Sequence, residues 1–177
     1  MSEHPLVAIV GPTGSGKSEL ALSICERFGG EVVNCDSVQL YRGFDIGTAK
    51  LPVAERRGIP HHLIDMLSPG EVFTAGEYAR RARPVLAGIR DRGRLPVVVG
   101  GTGFYLRALI DGLVPGPSRD DRVRARLDAR CTASLYRILS RLDREAARRI
   151  APRDRQKLTR ALEVCLLTRR PLTSWFA

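Results

Sequence analysis

Gly11-Pro12-Thr13-Gly14-Ser15-Gly16-Lys17-Ser18 is the stretch that decides how this chain folds. It fits the phosphate-loop pattern G-x-x-x-x-G-K-[ST] at every specified position. The flanks fit as well. The apolar run Leu6–Val10 leads into the first glycine, and Ser18-Glu19-Leu20-Ala21-Leu22-Ser23-Ile24 reads as the start of a helix. A strand, a glycine-rich turn and a helix are the context in which this pattern binds phosphate. The glycines permit the turn's torsions and let backbone N–H groups approach an anion, and the helix N-terminus adds a positive dipole end. Lys17 is suited to neutralise phosphate oxygens, and the Ser18 hydroxyl to ligate magnesium. The loop predicts a diphosphate or triphosphate ligand without naming the reaction.

The 177 residues are enough for one domain, or one core with an appendage. No apolar stretch reaches the length of a membrane span, and the short run at Leu6–Val10 does not read as a signal peptide. Cys25, Cys35, Cys131 and Cys165 are widely spaced and form no C-x-x-C pair, so reduced thiols in a cytoplasmic protein are expected. The net charge of +10 is unevenly placed. Residues 1–118 carry 13 Lys/Arg against 12 Asp/Glu, whereas residues 119–170 carry 16 against 7. Fifteen of those 16 cations are arginines, which pair bidentately with phosphate, so a nucleic acid is the partner this block predicts. A solvated arginine-rich helix surface is the plainer alternative.

Working outward, the runs Leu6–Val10, Glu31–Asn34, Leu63–Leu67 and Leu95–Val99 are expected strands. Helices are expected over 18–28 and 75–92, with Pro84 kinking or shortening the second, and over 104–113. Strands alternating with helices predict an α/β fold with a parallel sheet. Pro115-Gly116-Pro117-Ser118 marks a break, giving a core over 1–114 and an arginine-rich helical region over 115–177. In the second region, helices are expected from Ser118 to about Arg130, from Thr132 or Ser134 to about Ile150, and from Asp154 to about Thr168. Leu135, Leu139, Leu142, Ala146 and Ile150 would form an apolar stripe. Arg137, Arg141, Arg144 and Arg148 would form a cationic one.

Ligands of open α/β sheets bind beyond the carboxyl ends of the strands. Asp36 follows the second run and Thr102 the fourth, so both belong on that rim with the loop. Phosphate-loop hydrolases usually place an Asp after an apolar strand, near magnesium. Here the strongest strand ends in Gly100-Gly101-Thr102 instead, leaving Asp65 or Asp36 as candidates to approach a metal. Asp36 is equally a candidate base, or a turn residue. His61 and His62 are adjacent on an extended segment and point to opposite faces, which argues against a joint metal site.

Further stretches narrow this. They are Asp36-Ser37-Val38-Gln39-Leu40-Tyr41-Arg42-Gly43-Phe44-Asp45-Ile46-Gly47-Thr48-Ala49-Lys50, then Pro60-His61-His62-Leu63-Ile64-Asp65, Val98-Val99-Gly100-Gly101-Thr102-Gly103-Phe104-Tyr105, and Asp154-Arg155-Gln156-Lys157-Leu158-Thr159-Arg160-Ala161-Leu162-Glu163-Val164. With the phosphate loop they closely resemble the tRNA dimethylallyltransferases, over about residues 5–174. The resemblance implies a P-loop NTPase-like parallel sheet with flanking helices plus a partial helical tRNA-binding insertion. Family members are longer, so it also implies that the C-terminal part is lacking.

The implied reaction moves a dimethylallyl group from dimethylallyl diphosphate to N6 of the adenosine 3′ of the anticodon, in tRNAs reading codons that begin with U. The implied cofactor is Mg2+ at Ser18, and a monomer is expected. Gly11, Pro12, Thr13, Gly14, Ser15, Gly16, Lys17 and Ser18 would hold the diphosphate. Asp36 would take the proton from the adenine amine, and Thr102 would bond the leaving diphosphate. Asp36, Ser37, Val38, Gln39 and Thr102 would line the pocket for the extruded base. Arg124, Gln156, Lys157, Leu158, Thr159 and Arg160 would contact tRNA. A phosphate-loop kinase acting on a small molecule or nucleotide and an inactive tRNA-binding fragment are the alternatives.

Overall fold

The computed structural model describes residues 5–113 and 116–175. The chain divides into two compact units, Met1–Leu113 and Val114–Ala177. Pro115, in the expected break, lies outside the described residues.

In the first unit, β1 (Val7–Val10) enters the phosphate loop and α1 (Lys17–Phe28) leaves it. Gly29 stops α1, its N–H bonding to the Cys25 carbonyl, and β2 (Gly30–Asn34) follows at once. β3 is only His61–His62. α2 (Ala75–Asp91) opens on a reciprocal cap in which the Thr74 hydroxyl accepts the Glu77 N–H and the Glu77 carboxylate accepts the Thr74 N–H. β4 (Leu95–Gly100) and α3 (Gly103–Ile110) complete the unit. The four strands are parallel, in the order β1-β4-β2-β3. Val97 pairs with Val7 on one side and Val32 on the other.

The two-residue period of a strand explains the core. Val33 and Val98 point into a cluster with Leu40, Tyr78, Ala82, Ile89 and Ala108, under α2 and α3. Val32 and Val97 point the other way, to Ile9, Ala21 and Cys25 beneath α1. Central strands covered on both faces need continuous apolar runs, and each buried valine contributes roughly 1.5–3 kcal/mol.

One expectation for this unit fails. The third strand is not Leu63–Leu67. Leu63 and Asp65 have φ of 56° and 55°, which breaks an extended run, and Leu67 forms only an isolated bridge to Tyr41. Pro84 does not shorten α2, which runs through it as one helix. Pro84 is exposed, so the carbonyl it leaves without an amide partner lies on the side that water reaches.

The second unit holds α4 (Asp121–Asp128), α5 (Thr132–Leu142), α6 (Arg144–Arg149), α7 (Arg155–Thr168) and a 3-10 turn at Leu172–Trp175. Its core gathers Leu127, Leu135, Leu139, Ala146, Leu158, Ala161, Leu162 and Cys165. Asp120 caps α4, in place of the expected Ser118. The helix expected to reach Ile150 breaks at Asp143. The Asp143 carboxylate caps α6 through the Ala146 N–H and also accepts the Thr173 N–H and hydroxyl. Leu142 is therefore exposed. The four arginines of the cationic stripe are also exposed, two on α5 and two on α6. Among the described residues, no helix is long and apolar enough to cross a membrane.

Candidate phosphate-binding active site

The phosphate loop runs from the carboxyl end of β1 into α1. Gly14 and Gly16 have φ of 80° and 78°, a left-handed geometry that favours glycine. The Ser15 hydroxyl donates to the Pro12 carbonyl at 2.9 Å. The Lys17 ammonium donates to the same carbonyl and lies 3.4 Å from the Ser15 hydroxyl, so it is held against the loop.

Asp36 sits where β2 ends. Its Oδ1 accepts the Val38 N–H at 2.9 Å and the Gln39 N–H at 3.4 Å. This is the turn role weighed from the sequence, and it uses one oxygen only. Among the described residues, no protein group donates to Oδ2. A buried partner sets the turn. Asn34 accepts the Asp36 N–H at 3.2 Å and donates to the Leu63 carbonyl at 2.8 Å. The backbone carbonyl of Asn34 accepts the Tyr78 hydroxyl at 2.9 Å, and burial raises the Tyr78 pKa, which keeps that donor protonated. Sequence reasoning assigned Asn34 no role. The available signal was a polar residue closing a strand otherwise buried in apolar surroundings.

The end of β4 packs directly on this turn. A Cβ at Gly100 would lie 2.1 Å from the Cys35 carbonyl oxygen, so only glycine fits there. A Cβ at Gly101 would lie 3.4 Å from the Gly11 carbonyl and 3.7 Å from Asp36 Oδ2, so the phosphate loop and the carboxylate flank one point. The Thr102 hydroxyl accepts the Ser37 N–H at 2.9 Å and donates to the Ser37 hydroxyl at 3.2 Å. The structure thus places Thr102 against Ser37.

The segment after Asp36 folds back as a strap. Gln39 Nε2 donates to the Thr48 carbonyl at 2.9 Å. The Lys50 side chain, 4% exposed, pairs with Asp45 at 2.8 Å and Asp65 at 2.6 Å. Burial alone would lower the Lys50 pKa, but the two carboxylates outweigh it and the net shift is upward. Asp65, a metal candidate from the sequence, is thereby committed to an ion pair. His62 bonds Glu31 and His61 faces the Ile59 carbonyl, so the two imidazoles have separate partners.

Thr13, Gly14, Ser15, Gly16, Lys17, Ser18, Asp36, Gln39, Thr48, Ala49 and Leu51 line one cavity of about 310 Å³. A larger one, about 590 Å³, lies at the opposite ends of the strands, between Val7, Phe28 and Leu95. It is away from the strand carboxyl ends where α/β sheets hold their ligands. Lys17, Ser18 and Asp36 therefore line one shared volume. The donor set suits magnesium, which takes few protein ligands and completes its shell with phosphate and water. Among the described residues, no group of three or more His, Cys, Asp or Glu forms a self-sufficient metal site.

In the second unit, Arg124 and Arg160 converge on Glu163. That carboxylate is fully buried and accepts Arg124 Nε at 2.8 Å, Arg124 Nη2 at 3.0 Å, Arg160 Nη1 at 2.6 Å and the Asp120 N–H at 2.9 Å. Burial alone would raise its pKa. The arginines and the amide reverse this and hold it at about 2. The sequence motif that contains Glu163 gives no role for it. Gln156 and Lys157 are exposed at the start of α7. The side chains of Leu158 and Thr159 are buried, Leu158 in the core of this unit. Arg155 is also structural: it donates to the Arg130 carbonyl at 2.8 Å and the Asp128 carbonyl at 2.9 Å, closing the end of α4.

The sequence pattern of the IPP transferase family is matched by residues 39–177. A tRNA dimethylallyltransferase of Solibacter usitatus (strain Ellin6076) is 66% identical over 176 residues, 98% of this chain and 57% of that protein. One from Koribacter versatilis (strain Ellin345) is 58% identical over 177 residues, 98% of this chain and 58% of that protein. The chain thus spans little more than half the length of these relatives. A solved structure of a eukaryotic dimethylallyltransferase acting on tRNA superposes with a TM-score of 0.85 at 31% identity, over 97% of this chain and 44% of the other. The full-length tRNA isopentenylpyrophosphate transferase of Bacillus halodurans gives 0.64 at 42% identity, over 96% and 57%. With pattern, identity and architecture in agreement, the chain belongs to the IPP transferase family.

Proposed function

We propose that this chain carries the catalytic core of a tRNA dimethylallyltransferase. The observation that carries the reading is the cavity that the phosphate loop shares with Asp36, whose Oδ2 has no protein donor among the described residues. The loop holds the diphosphate of dimethylallyl diphosphate. N6 of the adenosine 3′ of the anticodon forms a bond to C1 of the dimethylallyl group as the C1–O bond breaks. The electron pair leaves on the diphosphate, and the N6 proton passes to Asp36 Oδ2. Lys17 and the loop amides stabilise the departing charge. Ser18 would hold magnesium, which would supply further neutralisation of the diphosphate. Because no phosphoryl group is transferred, a hydrolase-type Asp after β4 is not required.

An exocyclic amine inside a stack must be extruded to react, and Ser37, Val38 and Gln39, beside Asp36 on the same turn, would receive it. Thr102 would act through Ser37. Gln156 and Lys157 would grip the tRNA backbone. The exposed arginines of α5 and α6 would add a salt-dependent share.

Labelled dimethylallyl diphosphate incubated with unmodified tRNA tests the reading. Label in tRNA is the expected result. ATP-dependent phosphorylation of a small acceptor would favour a kinase, and tRNA binding without transfer at high protein concentration would leave a binding fragment.

A further inference from the structure

We propose that the turn carrying Phe44 and Ile46 is a nucleobase-contacting wedge. It would take the face of a base left unstacked when the acceptor purine enters the Asp36 cavity. This rests on the transferase reading.

Ile46 is 99% exposed and Phe44 44%. Single exposed apolar side chains are common. What distinguishes this pair is the anchoring beneath it. The Lys50 ammonium donates to the Tyr41 carbonyl, Asp45 and Asp65, closing the ends of the turn. The Thr48 hydroxyl donates to the Phe44 carbonyl at 2.7 Å. The Phe44 ring lies 5.6 Å from that of Tyr41, inclined by 34°. The apolar tip is thus held out from the core rather than folded into it.

The same bonds connect the tip to the reaction cavity. Gln39 reaches Asp36 Oδ1 through its N–H and Thr48 through its side chain, and Thr48 and Ala49 line the cavity with Asp36. Extruding a purine exposes its neighbours' faces, and an inserted apolar or aromatic side chain replaces the lost stacking. The one charged group within the turn, Asp45, is paired with Lys50, so the tip matches a neutral base rather than a phosphate.

The test uses an anticodon stem-loop RNA with 2-aminopurine in place of the acceptor adenosine, whose fluorescence rises on unstacking. The wild-type chain is expected to raise it. The double variant Phe44→Ser/Ile46→Ser is expected to cut the rise by at least about fivefold. Its thermal melt and its binding of dimethylallyl diphosphate should remain as in wild type, and Phe44→Tyr/Ile46→Leu should restore the signal. Wild-type unstacking by the double variant overturns the wedge. So does weaker donor binding with unstacking intact, which would assign the turn to the prenyl chain. Absence of a rise with the wild-type chain overturns it too. Label transfer is read separately, so failure of the transferase reading is told apart.

Discussion

The Thr102 hydroxyl accepts the Ser37 N–H at 2.9 Å, tying the end of β4 to the turn that carries Asp36. Thr102→Val keeps the shape but leaves that N–H without its acceptor, at a cost of about 1–3 kcal/mol. Thr102→Ser keeps the oxygen. We expect the valine variant to lose stability on urea denaturation and prenyl transfer by about 10- to 100-fold, with the serine variant near wild type in both. Loss of transfer with unchanged stability would instead place the hydroxyl on the substrate.

Asp36→Asn retains an acceptor for the Val38 and Gln39 N–H groups but removes the basic oxygen. Single-turnover transfer should fall by about 10²- to 10⁴-fold while the thermal melt stays close to wild type. An asparagine variant as fast as wild type would end the role of Asp36 as base.

Lys50→Met leaves Asp45 and Asp65 without their ammonium. Both carboxylates are partly exposed, so the cost is expected at about 1–3 kcal/mol rather than that of a fully buried pair. Hydrogen exchange should speed up first over residues 43–49, the strap that the ammonium closes. Uniform acceleration across the unit would show that Lys50 acts on global stability alone.

The Glu163 carboxylate, held at about 2 from a reference of 4.5, makes a pH prediction. A depressed carboxylate contributes stability that is complete above its unfolded pKa and is lost as pH falls through its folded one. The second unit should therefore weaken between about pH 4.5 and 2, by on the order of 3 kcal/mol. Glu163→Gln should flatten that acid limb and lower stability at pH 7, since Arg124 and Arg160 lose their shared counter-ion. Melting temperatures of both proteins from pH 7 to 2 would check this.

The phosphate loop, the parallel sheet and the positions of Asp36 and Thr102 at strand ends were legible because they rest on local rules. Glycine spacing, apolar runs and a two- or 3.6-residue period are properties of neighbouring residues. The misread elements were those in which distant residues intervene. β3 is short because the chain turns at Leu63 and Asp65, the latter held by Lys50 and the former through its carbonyl by Asn34. The long helix breaks because Asp143 bonds Thr173, thirty residues away.

Residue types and spacings by themselves determined a glycine-rich loop between a strand and a helix on an α/β sheet, and an arginine-rich helical region. Tertiary structure alone decided which charges stay available. Asp65 is committed to Lys50, Arg124 and Arg160 to the buried Glu163, and Arg155 to the end of α4, while among the described residues Asp36 keeps one oxygen without a protein donor. A formal charge follows from composition. Its pairing follows from which groups the folded chain brings within hydrogen-bond reach.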